Sequence, residues 1–176
     1  MEIYIEQLKN QDAEDLFNFE LTNKSFFETM VPSRGSNYYV YEYFQKQLDE
    51  LLKEQTEGIS YFHLIRNTEK EIVGRINLVD VDKEKRIGSL GYRVGEKFTK
   101  KGVAASSVKL ILAQARVYEI NEIHAMTTTN NIASQIVLEK NGFSREKQAE
   151  TTTVDLNGEN GENVNFVHYI WRTTKG

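Results

Sequence analysis

The stretch from Gly91 to Leu112 constrains this chain more than any other: Gly-Tyr-Arg-Val-Gly-Glu-Lys-Phe-Thr-Lys-Lys-Gly-Val-Ala-Ala-Ser-Ser-Val-Lys-Leu-Ile-Leu. It reads as a strand, a short basic loop and a helix that opens on small residues. A helix start of this kind leaves backbone N–H groups free and carries the positive end of the helix dipole. Gly102, Ala104 and Ala105 put little side chain in front of those amides, and Lys100 and Lys101 add positive charge, so a pyrophosphate fits there. Taken alone, the segment is equally well described as a glycine-containing turn before a surface amphipathic helix. A nucleotide-triphosphate loop does not fit, because neither Gly95 nor Gly102 is followed by Lys and Ser or Thr at the required spacing. The Gly-x-Gly-x-x-Gly dinucleotide fingerprint is absent.

A second informative segment runs from Thr127 through Asn130, Asn131, Ser134 and Glu139 to Asn141-Gly142-Phe143. It reads as a polar strand end, a short helix and a glycine stop. Asn130 or Asn131 caps that helix, and Ser134 lies almost one turn inside it on the side of Asn131. An ordinary cap followed by an ordinary helical serine would look the same.

Around these segments the apolar periodicity predicts strands over residues 2–8, 58–66, 72–81, 86–94, 122–128, 143–154 and 164–171. It predicts helices over a segment capped by Asp12, over 38–53, over 102–118 and over 132–140. Polar turns at 67–71, 82–85 and 157–161 join consecutive strands into hairpins. The expected order is β-α-α-β-β-β-α-β-α-β-β, with no internal repeat. Residues 1–176 read as a single domain of mixed α/β (α+β) class, with about seven strands and four helices.

The chain has no cysteine, which excludes disulfides, thiolate metal sites and a cysteine nucleophile, and suits a reducing compartment. Acids and amides interrupt every apolar run in residues 1–16, so neither a signal peptide nor a membrane anchor is expected there, and the chain reads as cytoplasmic. A net charge of −4 opposes nucleic-acid binding and would attract a cationic amine. His63, His124 and His168 fall on three predicted strands with no metal-ligand spacing, so no metal is expected.

In order and spacing the two segments together resemble the GNAT superfamily of N-acetyltransferases, and within it the ribosomal-protein N-acetyltransferases of the RimJ/RimL type. The early helices and the Asn-Gly turn near the C-terminus extend the likeness to both ends. The resemblance implies a mostly antiparallel sheet splayed where acetyl-coenzyme A binds, and transfer of the acetyl group to a primary amine. The acceptor it implies is a protein N-terminus of the ribosomal-protein type, or alternatively a polyamine or an aminoglycoside. A module that binds acetyl-coenzyme A without turnover is the reading of a different class. For this chain either a monomer or a homodimer is expected, since members of the family often dimerise through their C-terminal strands.

By the same resemblance, the backbone of Thr99, Lys100, Lys101, Gly102, Val103 and Ala104 grips the pyrophosphate. Thr99 and Lys100 depart from the family's usual Gln or Arg and glycine at these places. Tyr92, Arg93 and Val94 form the strand beside the pantetheine arm, their amides being the candidates for the oxyanion. Asn131 holds the pantetheine, and Ser134 is the candidate acid for the leaving thiolate. Many relatives carry a tyrosine where this chain has Leu138, and some a glutamate base where it has Met126. Glu28, Asp80, Glu146 and Glu150 remain as candidate bases. An α-amine, with a pKa of about 8 against about 10 for lysine, needs the least help to lose its proton.

Overall fold

A computed structural model describes residues 1–146, 153–155 and 163–174. Its sheet contains β1 (Ile3–Gln7), β2 (Tyr61–Asn67), β3 (Ile72–Asp82), β4 (Ile87–Val94), β5 (Glu122–Thr128), β6 (Ser144–Arg145), β7 (Thr153–Asp155) and β8 (Asn163–Arg172). The spatial order is β1-β2-β3-β4-β5-β8-β6, with β7 paired to β8. Every pairing is antiparallel except β4 with β5.

Among the described residues five α-helices accompany the sheet: α1 (Ala13–Thr22), α2 (Lys24–Glu28), α3 (Tyr41–Glu57), α4 (Val103–Val117) and α5 (Ile132–Lys140). They cover two faces, as two apolar clusters show. One joins Val108 and Ile111 of α4 and Leu138 of α5 to Ile65, Ile76, Leu78 and Ile123. The other joins Leu16 and Phe19 of α1, Phe27 of α2 and Phe44 and Leu48 of α3 to Phe62, Leu64 and Ile72. With both faces covered, β2 is buried along nearly its whole length, its polar His63, Arg66 and Asn67 included. Gly58 ends α3 at φ +71°, and the amides of Gly58 and Ile59 return to the carbonyls of Gln55 and Glu54.

α2 is the helix beyond the four expected, and it owes its place to Asn23. The Asn23 amide group donates to the Phe19 carbonyl (2.9 Å), ending α1, and its oxygen accepts from the Glu96 amide (2.9 Å) across the molecule. Asp12 precedes α1 as expected but does not cap it through its side chain. Its carboxylate takes the Lys9 amide (2.8 Å) and the buried Arg66 guanidinium (3.0 Å), tying the helix start to β2. α3 begins at Tyr41, later than the periodicity placed it, because residues 36–39 form a 3-10 turn. Of the strand expected over 143–154, β6 and β7 are its described parts. Residues 147–152 and the turn at 157–161 lie outside the described residues.

β4 and β5 run side by side from Ile87 and Glu122 as far as Leu90 and Ala125. Beyond that, residues 91–94 continue along β3 as far as Gly74 opposite Val94, while residues 126–128 continue along β8. The two strands therefore diverge into a gap, with α4 starting on one side of it and α5 on the other.

Candidate active site

The gap is reached from β4 through a short connection. Glu96–Phe98 make one 3-10 turn, and the Thr99 hydroxyl turns back to the Glu96 carbonyl (2.8 Å) rather than outward. Lys100 and Gly102 both lie in the left-handed region, at φ +61° and +77°. Ser106 is the first amide that α4 uses itself, bonding the Gly102 carbonyl (3.1 Å), so those of Val103, Ala104 and Ala105 are free at the helix start. A Cβ at Gly102 would meet nothing within 4 Å. Glycine is required there by backbone conformation, and the space in front of the amides is open, as an approaching pyrophosphate needs. Lys100 and Lys101 are exposed beside it, while the Val103 side chain is buried and contributes only its amide.

Across the gap, Asn131 caps α5: its side-chain oxygen accepts from the Ser134 amide (3.1 Å), as the sequence implied. The cap fixes the first turn, and with it the Ser134 hydroxyl, which lies 2.7 Å from the hydroxyl of Tyr92 on β4. This pair bridges the two sides of the gap. Burial pushes the Tyr92 phenol above its ordinary value, against the opposing effect of the Ser134 hydrogen bond, so it holds its proton.

Sequence reasoning missed this contact. Leu138, where relatives carry a tyrosine, is buried in the core, and the phenol that meets Ser134 comes from a different element. The signal was the alternation of β4, which sends Tyr92 toward α5 and Arg93 the opposite way.

Arg93 thus joins the gap through its backbone alone. Its guanidinium lies 4.7 Å from the centre of the Phe27 ring and 3.4 Å from a carboxylate oxygen of Glu20, a residue with no solvent exposure. The other oxygen of Glu20 takes the buried Arg75 of β3 at 2.6 Å. This network was also missed, although a glutamate in the apolar stripe of α1 and an arginine inside the apolar run of β3 were its marks.

Of the candidate bases, Asp80 sits in the bulge of β3 toward the β3–β4 turn, at the far end from Tyr92. Glu28 accepts from the Ser33 hydroxyl (3.1 Å), the Glu146 amide bonds the His168 carbonyl (2.8 Å), and Glu150 lies outside the described residues. Met126 is exposed on β5.

The histidines are separate. His63 is buried with its Nε2 2.9 Å from the Tyr118 hydroxyl and its Nδ1 without a partner, and burial lowers its pKa to about 4. His124 contacts Glu122 at 3.0 Å, and His168 faces Met126 across the β5–β8 pair. Among the described residues there is no group of three or more His, Cys, Asp or Glu side chains placed to hold a metal, and no helix long and apolar enough to cross a membrane.

The family model described as an acetyltransferase (GNAT) domain matches residues 2–144. The curated probable N-acetyltransferase YjcK of Bacillus subtilis is 26% identical over 159 residues, covering 89% of this chain and 87% of that protein. Among solved structures, the ribosomal-protein-S5-alanine acetyltransferase of Vibrio fischeri superposes with a TM-score of 0.86 at 18% identity, over 98% of this chain and 93% of that one. The spermidine N-acetyltransferase of Vibrio cholerae, solved with CoA and spermine, superposes at 0.76 with 14% identity, over 97% and 95%. A diverging sheet, a helix start with free amides and a match across most of the chain converge on one conclusion: this protein belongs to the GNAT acetyltransferase family and has its fold.

Proposed function

We propose that the chain moves an acetyl group from acetyl-coenzyme A directly to a primary amine, with a protein N-terminal α-amine as the acceptor. The Tyr92–Ser134 hydroxyl pair across the β4–β5 gap carries this reading. In it, the free amides of Val103, Ala104 and Ala105, with Lys100 and Lys101, take the pyrophosphate. The Asn131 amide group takes the pantetheine arm, and acetyl-coenzyme A supplies the activated thioester.

The amine nitrogen bonds to the thioester carbon, the carbon–sulfur bond breaks, and the backbone amides near Arg93 and Val94 take the oxygen charge that develops in between. Tyr92 donates to the Ser134 oxygen while Ser134 gives its proton to the departing sulfur; the amine proton leaves to water, and water returns one proton to the Tyr92–Ser134 pair. An α-amine, already partly neutral near pH 7, suits a site where the described residues place no carboxylate base beside Tyr92 and Ser134.

Calorimetric titration with acetyl-coenzyme A, followed by thiol release on adding peptides with free N-termini, tests the reading. Binding with acceptor-dependent thiol release supports it. Saturable binding without release from any primary amine would instead favour a sensor, and absence of binding would remove both readings.

A further inference from the structure

The face of the sheet opposite Tyr92 carries a second chain of polar side chains, at the closed end of the gap. Pairing of β4 with β5 ends at Leu90 and Ala125, and the position just inside it joins Ser89 to His124. Ala125 packs into the core cluster of α4 and α5, so the alternation of β5 sends Glu122, His124 and Met126 to the other face. Tyr92 packs against the same cluster, and Gly91 therefore lies on the face of His124. Gly91 is exposed, and a Cβ there would meet nothing within 4 Å. Open space thus stands over β4 at the end of the gap, with His124 and Met126 on its β5 side.

His124 is held from one side. Its Nε2 lies 3.0 Å from Oε1 of Glu122, and the same oxygen accepts from Nη2 of Arg172, the β8 partner of Glu122, at 3.3 Å. A carboxylate can only accept, so Nε2 carries the ring proton and Nδ1 the lone pair. Nδ1 has no hydrogen-bond partner among the described residues, and with the side chain 44% exposed, water reaches it. The other charged or titratable neighbours on this face are His168 of β8 and Arg93 of β4, the latter held by Glu20.

We propose that His124 receives, through water, the proton that an acceptor ammonium must lose, and that Glu122 is the positioning residue that presents Nδ1 for it. The proposal rests on the acetyltransferase reading. The acceptor amine enters the open face over Gly91, its ammonium proton passes by way of a water to Nδ1, and the neutral nitrogen attacks the thioester carbon. The imidazolium keeps its Nε2 proton on Glu122, whose charge offsets its own, and later gives the Nδ1 proton to solvent. The second amine proton leaves to water as the nitrogen–carbon bond forms. The sulfur takes its proton from Ser134 on the opposite face, so acid and base stand on either side of the sheet and do not neutralise each other.

The test is steady-state thiol release by the whole chain between about pH 6 and 9, with acetyl-coenzyme A and peptides bearing free N-terminal alanine or serine. In His124→Gln, kcat/KM is expected to fall by about tenfold or more near pH 7, and the deficit to shrink toward pH 9, where the α-amine is neutral without help. Acetyl-coenzyme A affinity by calorimetry is expected to stay unchanged, and free imidazole to restore part of the lost rate in His124→Ala. Nitrogen NMR of the histidine rings reads the positioning role without turnover. His124 is expected as the Nε2–H tautomer in the wild type and as a mixture of tautomers in Glu122→Gln.

A deficit that stays constant across pH, or below about twofold throughout, would overturn the proposal while leaving the transferase reading intact. An Nδ1–H tautomer in the wild type would do the same. Absence of thiol release from the wild type with these peptides or any other primary amine would instead remove the transferase reading, and the proton acceptor with it.

Discussion

His63 should make this protein sensitive to mild acid, and the size of the effect follows from its surroundings. The ring is 3% exposed and its Nε2 meets Tyr118, so a proton on it would be desolvated, a penalty that the Tyr61 backbone offsets only in part. Its pKa falls from 6.5 to about 4 in the fold. A lowered value means the unfolded chain binds the proton more readily. The stability that His63 contributes as a neutral ring is therefore present above pH 6.5 and is lost as the pH falls toward 4. At about 1.4 kcal/mol per pH unit, the loss across that interval amounts to about 3 kcal/mol.

Carboxylates titrate in the lower part of the same range, so the informative comparison is with His63→Gln, which keeps polar groups but cannot gain the charge. Urea unfolding between pH 7.5 and 4.5 should show a wild-type stability that drops faster than that of the variant, the two curves parting below about pH 6.5. Parallel curves would show that the buried ring does not resist protonation.

Gly102→Ala places a side chain at φ +77°, in open space, so it should lower stability by only about 1 kcal/mol by thermal unfolding, and any weakening of coenzyme affinity by calorimetry reports the loop's shape rather than crowding. Tyr92→Phe and Ser134→Ala should each lower kcat more than coenzyme affinity. Because the two hydroxyls act as one unit, the double variant should lose little more than the worse single one; multiplying losses in steady-state assays would show that they act independently. Glu20→Gln removes the one carboxylate from between Arg75 and Arg93 and should destabilise by about 3 kcal/mol or more in urea unfolding, whereas a change below about 1 kcal/mol would mean the pair is solvated.

The strands and four of the helices were legible because their periodicities are clean and each buries one face or two. The gap was legible only through resemblance. Nothing in residues 87–94 states that pairing with β5 stops after Leu90; that depends on where a partner 35 residues away leaves the register. α2 was not legible, since five residues carry too little periodicity and Asn23 sets the break by reaching Glu96. Glu20 and Arg75 each interrupt an apolar run, but only the fold shows that both are buried and paired, with Arg93 beside them. Capping rules narrowed the start of α5 to Asn130 or Asn131, but the hydroxyl that meets Ser134 required a tertiary contact between residues 42 positions apart.

The parting of β4 from β5 also has a mechanical meaning. Four paired positions join β1–β4 to the remaining strands, whereas β5 and β8 are matched at seven. The sheet is thus two leaves on a short parallel spine, with the α4 and α5 apolar cluster packed across both. Amide exchange should be slow inside the leaves and fastest along the open margins. A ligand lying in the gap and bonded to both margins would lengthen the spine beyond the four positions that now join the leaves.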